Sequence, residues 1–80
     1  MYVLRYGVEQ DYKKAIEWYE KAANQGHAKA QFILGDMYSS GQGVRQDYKK
    51  AAEWYEKAAT QGDANAQYNL GLMYVNRYGV

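Results

Sequence analysis

The sequence predicts an all-α fold, an α/α repeat solenoid of antiparallel helix hairpins with about four helices. Two observations carry that expectation. The first is internal repetition: Asp11-Tyr12-Lys13-Lys14-Ala15 returns as Asp47-Tyr48-Lys49-Lys50-Ala51, Met-Tyr stands at 1, 37 and 73, and Gly-Val stands at 7, 43 and 79. Every shift is 36 residues, residues 1–36 match 37–72 at 24 positions, and 73–80 match 1–8 at seven of eight. A fixed period of this length marks a supersecondary unit that buries its apolar face only by stacking on its neighbours. The second observation is that apolar residues inside each unit recur with helical spacing, while the links between helical stretches are short and contain Gly. Residues 1–80 therefore read as one repeat array, incomplete at both ends.

The elements follow in order. Residues 1–8 correspond to 37–44, the last turn of a helix and the loop behind it. The first complete helix, α1, is expected over 11–24 and returns as α3 over 47–60. With Tyr12 set at 0° and 100° per residue, Ala15, Ile16, Trp18, Tyr19, Ala22 and Ala23 fill one continuous arc. Lys13, Lys14, Glu17, Glu20 and Lys21 fill the other, with Lys13–Glu17 and Glu17–Lys21 as i,i+4 pairs. Asp11 is the expected N-cap, and Gly26 stands where a left-handed stop belongs. Helix α2 is expected from just after His27 to about Ser39, and α4 from just after Asp63 to about Val75. Asp63 is the better cap of the two, with His27 a solvated capping residue rather than a proton shuttle or ligand. Gly35 and Gly71 lie mid-helix, where Gly costs about 1 kcal/mol against Ala. Paid once per repeat, that cost predicts a close approach by the neighbouring helix beneath an aromatic ring.

Composition removes several function classes. The 80 residues (9.2 kDa) include no Cys, one His and no Pro, with 10 Lys+Arg against 9 Asp+Glu. Without Cys there is no disulfide, thiolate nucleophile or cysteine zinc site, and one His builds no histidine metal centre. Each 36-residue unit is charge-balanced and the formal +1 comes from Arg77, so nothing attracts nucleic acid. No apolar run spans a bilayer, and the N-terminus lacks the apolar segment of a signal peptide. Gly41-Gln42-Gly43-Val44 is a lone G-x-G, not a phosphate loop. The paired lysines 13–14 and 49–50 are interleaved with Glu and read as a solubilising face. No nucleophile–base or carboxylate pair is placed by any motif, so no enzyme and no cofactor are expected. The ten Tyr and two Trp read as packing residues rather than a base-stacking or sugar-binding platform, because a large ring suits a thin core of roughly 60–65% surface burial.

The pattern Ala30-Gln31-Phe32-Ile33-Leu34-Gly35-Asp36-Met37-Tyr38, then Gly41-x-Gly43-Val44, then Asp47-Tyr48-x-x-Ala51-x-x-Trp54-Tyr55-x-x-Ala58-Ala59-x-x-Gly62, resembles the Sel-1-like repeat. Ala66 to Tyr74 repeats its first part and Asp11 to Gly26 its last, so the resemblance covers essentially the whole chain. It is a sub-class of the tetratricopeptide-type hairpins, whose own period is 34 and whose unit usually ends in Pro; here the period is 36 and Pro is absent. The resemblance implies a right-handed superhelix whose A helices, α2 and α4 here, line a concave surface, and a role as an adaptor holding proteins or peptides. Some bacterial members tie each repeat with a disulfide; this chain must rely on packing. Members are often exported in bacteria, but nothing in these residues assigns a compartment.

The two units also locate a candidate surface. α1 and α3 differ at Ile16/Ala52 and Asn24/Thr60. α2 and α4 differ at Lys29/Asn65, Phe32/Tyr68, Ile33/Asn69 and Asp36/Leu72, continuing to Ser40/Asn76. With Ala28 at 0°, positions 29, 33, 36 and 40 fall on one stripe, while the apolar set stays fixed. Drift at a solvated face would have altered the charged face of α1 and α3 as well, which it has not. Lys29, Phe32, Ile33, Asp36, Asn65, Tyr68, Asn69 and Leu72 are therefore the candidate partner-binding residues, for an extended peptide or a helix. The unfinished ends give a second expectation. α1 lacks a preceding A helix and α4 a following B helix, so the chain is a piece of a longer array, or copies complete one another head to tail or by exchanging helices as a homo-oligomer.

Overall fold

The computed structural model describes residues 11–80, which form four α-helices: α1 (Tyr12–Asn24), α2 (Ala28–Ser40), α3 (Tyr48–Thr60) and α4 (Ala64–Asn76). Each has 13 residues, and the expected boundaries hold to within a residue. The short helical end expected within 1–8 lies outside the described residues. The helix starts are fixed by side-chain caps that satisfy otherwise orphaned N–H groups. Asp11 Oδ1 accepts from the Lys14 N–H at 3.1 Å, Asp47 Oδ1 from Lys50 at 3.1 Å and Asp63 Oδ1 from Ala66 at 2.9 Å. His27 caps α2 by accepting the Ala30 N–H at Nδ1, 3.2 Å away, so it fills the structural role expected of it. α2 stops at Gly41, whose φ of 77° lets the backbone turn left-handed while its N–H returns to the Met37 carbonyl at 2.8 Å.

Consecutive helices pack against one another, and α3 lies between α2 and α4. Ile16, Ala23, Ala30, Leu34 and Met37 form one cluster between α1 and α2, and Trp54 of α3 packs against it. Ala51, Ala52, Tyr55, Ala58, Ala66 and Met73 form a second between α3 and α4, covered by Phe32 and Tyr38 of α2. α3 thus packs on α4 and, through Trp54, also covers the α1–α2 cluster. Gln31 is the buried polar residue of this seam. Its Nε2 donates to the Ala23 carbonyl at 3.0 Å, and its Oε1 accepts from Gln61 Nε2 at 2.8 Å, which removes the cost of burying the amide.

The mid-helix glycine has the reason expected of it at Gly35. A Cβ there would stand 2.5 Å from Tyr55 Cδ1 and 2.6 Å from Cε1, so only Gly lets the ring lie on the helix backbone. Gly71, one repeat later, has nothing within 4 Å of where its Cβ would be. The apolar arc of α1 also departs from expectation. Trp18 is 68% exposed, whereas its repeat mate Trp54 is half-buried. Trp54 is covered by the α1–α2 cluster, and Trp18 has no such cover among the described residues.

Candidate functional site

α2 and α4 flank a cleft of about 300 Å³ whose base is the Tyr55 ring of α3. Asp36 and Ser39 line it from α2, Asn69, Leu72, Met73 and Asn76 from α4, and Tyr78 from the segment behind α4. Tyr78 is held there by stacking on Tyr48, with ring centroids 4.6 Å apart and planes 10° from parallel. Tyr55 is placed by burial among the alanines of α3 and α4 and by its contact with Gly35.

The Tyr55 hydroxyl donates a hydrogen bond to Asp36 Oδ1. Burial raises the phenol's pKa above its ordinary value, and the Asp36 hydrogen bond and charge push it further up. Hydrogen bonding with Asn69 and Ser39 acts in the opposite direction. The base of the cleft is thus a neutral phenol that donates to the Asp36 side chain.

The eight residues expected on the variable stripe divide in space. Asp36, Asn69 and Leu72 meet in this cleft. Leu72 is 43% exposed and Tyr68 69%, so α4 presents apolar surface beside it. Lys29 and Asn65 are exposed at the starts of α2 and α4. Phe32 is half-buried with its ring 5.9 Å from Tyr55, and Ile33 is half-buried against the α1–α2 cluster. These two shape the surface more than they project from it. Ile33 is the repeat mate of Asn69, and the cleft it would line needs a helix before α1.

Sequence comparison of the two units missed Tyr55, Ser39, Met73 and Tyr78. Tyr55 is identical to Tyr19 and so counted as scaffold, although its hydroxyl touches the variable Asp36. A larger groove of about 620 Å³ runs between α1 and α3, past Trp54, Glu53, Glu56 and Lys57. Its polar anchors Gln31 and Gln61 already bond each other, and its charges are of mixed sign. Among the described residues, no three His, Asp or Glu side chains come together to hold a metal, and no helix is long and apolar enough to cross a membrane.

The Sel1 repeat family model matches residues 2–27, 28–63 and 64–80. The chain belongs to the Sel1 repeat family. The middle match, 28–63, takes in α2 and α3. The fold is shared with solved bacterial Sel1 proteins. A Sel1 repeat protein from Oxalobacter formigenes is 44% identical with a TM-score of 0.89, over 92% of this chain and 30% of that one. The antigen c5321 of uropathogenic Escherichia coli, described as displaying an SLR fold, is 47% identical with a TM-score of 0.85, over 88% of this chain and 15% of that one. The chain therefore spans less than a third of either relative. No curated protein sequence matches it. Sel1-repeat proteins generally serve as protein-interaction scaffolds, and the fold is typically non-catalytic.

Proposed function

We propose that this Sel1 array is a non-catalytic adaptor that holds a segment of another protein along the α2–α4 face. The observation that carries the reading is the convergence of Asp36, Asn69 and Leu72 around one cleft, three residues from two positions (36/72 and 33/69) at which the two repeats differ. A cleft that only packed the scaffold would be built from the residues the repeats share. The surroundings suit a peptide: Leu72 and Tyr68 offer apolar anchoring area, while Asn65, Asn69 and Lys29 offer groups for backbone carbonyls, amides and an acidic side chain. Phe32 and Ile33 set the contour beneath them.

Random peptides displayed on phage and selected on the chain supply a defined probe. The double variant Tyr68→Ser, Leu72→Ser truncates two side chains outside the buried clusters, so helicity by circular dichroism should stay close to the parent's. Selected peptides should bind it at least about tenfold more weakly, a loss of roughly 1.4 kcal/mol. Peptides that bind the variant as they bind the parent place the partner surface elsewhere.

A further inference from the structure

α1 and α3 are identical at 11 of 13 positions, yet they bury different amounts of the same surface. In α3, Ala51 and Ala58 are fully buried and Tyr55 is 3% exposed; in α1 their mates Ala15, Ala22 and Tyr19 are half-buried and Trp18 stands out at 68%. The surface left open on α1 is the surface that α3 presses onto α2.

α4 shows the matching deficit. Leu34 is buried in the α1–α2 cluster that Trp54 of α3 packs against and Gly35 lies under Tyr55, whereas Leu70 is half-buried and Gly71 is exposed with empty space over it. Gln67 Nε2 donates to the Ala59 carbonyl at 3.1 Å, as Gln31 does to Ala23. Gln31 Oε1 accepts from Gln61; Gln67 Oε1 accepts nothing among the described residues, and Gln25 is the repeat mate of Gln61.

We propose that α1 of a second molecule docks on α4 and α3 of the first, repeating between molecules the contact that α3 makes with α2 and α1 within one. Tyr19 then lies on Gly71, Trp18 covers Ala59 and Leu70, and Gln25 donates to Gln67 Oε1. The surface concerned adjoins the peptide cleft at Leu72, and the occupant follows from complementarity already realised once in the fold. A second molecule supplies the side chains of α3 almost unchanged. Because the two surfaces differ, the contact is heterologous and repeats as an open row rather than closing as a dimer.

One element of the contact is missing. Tyr55 donates to Asp36, but Leu72 stands at the equivalent place and offers Tyr19 no acceptor. This weakens the docking and supplies its most specific test. Sedimentation velocity of the full chain over a concentration series should show mass rising from 9.2 kDa without a plateau. Gly71→Ala puts a Cβ where Tyr19 must lie, and Trp18→Ala removes an exposed ring. Each should weaken association at least about tenfold, while the Gly71→Ala monomer melts higher because Ala favours the helix. The matched Gly35→Ala should melt lower, since Tyr55 already occupies that space. Leu72→Asp restores the acceptor and should tighten association by about three- to tenfold. A monomer at every concentration, a mass that stops at a dimer, or Gly71→Ala associating like the parent overturns the docking. Leu72→Asp leaving association unchanged overturns the Tyr19-on-Gly71 register.

Discussion

α2 and α4 begin, pack and end by the same sequence rules, and the structure gives them different fates. Both start on a side-chain cap three residues before the N–H it accepts, carry Leu and Gly at the same two places, and bury a Met near the end at 5% exposure. α2 lies between α1 and α3, so Leu34 is fully buried, Gln31 is buried and doubly bonded, and Gly35 lies under an aromatic ring. α4 has α3 on one side, and its Leu70, Gln67 and Gly71 keep the sequence of a packed helix with no second helix over them among the described residues. In a repeat array the sequence of an element encodes the neighbour it expects, whereas its stability depends on the neighbour it has.

The largest way to break this equivalence is truncation of the shared leucine. Leu34→Ala removes a fully enclosed side chain and should cost about 2–5 kcal/mol, a large share of the stability of a chain this size. Leu70→Ala, half-exposed already, should cost less than half as much. Urea denaturation followed by circular dichroism measures both. Equal losses would show that α4 is as well covered as α2 in solution.

The same distinction explains what was legible in the sequence. Asp11, Asp47 and Asp63 announce helix starts because a cap acts on its own first turn, and the apolar period announces which face is buried; both are local. The close approach at Gly35 was legible because a costly residue recurred. That Gly71 is uncovered and Trp18 exposed was not, since an apolar arc states only that a neighbour is wanted. The Asp36–Tyr55 bond joins residues 19 apart on different helices, and no periodicity within one helix points to it. The difference between Asp36 and Leu72 marks the position as variable and carries no sign of the hydrogen bond that Asp36 accepts.

That bond gives the next prediction, since α4 has Leu72 where α2 has Asp36. Tyr55→Phe removes a donor to a carboxylate and should cost about 1–2 kcal/mol at neutral pH. Its pH dependence has a definite sign. The folded-state pKa of Tyr55 lies above the ordinary value of 10.0, so folding favours the neutral phenol. That contribution is complete below pH 10 and is lost as pH rises from 10 towards the folded value, by up to about 1.4 kcal/mol per pH unit. The parent should therefore lose stability above pH 10 more steeply than Tyr55→Phe, as read from thermal midpoints between neutral and strongly alkaline pH. Parallel curves would mean that the Tyr55 hydroxyl is not buried against Asp36 in solution.

The smallest contrast sits at the helix ends. Gly41 closes α2 in the left-handed region, and Arg77 closes α4 there too, at φ 61° and ψ 40°, with the Tyr78 N–H bonded to the Met73 carbonyl at 2.9 Å. A side chain in that region pays about 1 kcal/mol that Gly avoids, partly offset by the greater freedom Gly has when unfolded. Arg77→Gly should thus stabilise the chain by roughly 0.5–1 kcal/mol, and Gly41→Arg should cost about 1 kcal/mol or more because its Cβ also crowds Gln46. Arg77 is the sole source of the formal +1 charge, so both variants are compared with the parent at high salt, where a charge effect fades and a backbone effect persists. If Arg77→Gly gains nothing there, the end of α4 is frayed rather than capped, and the difference between the two helices begins one turn earlier.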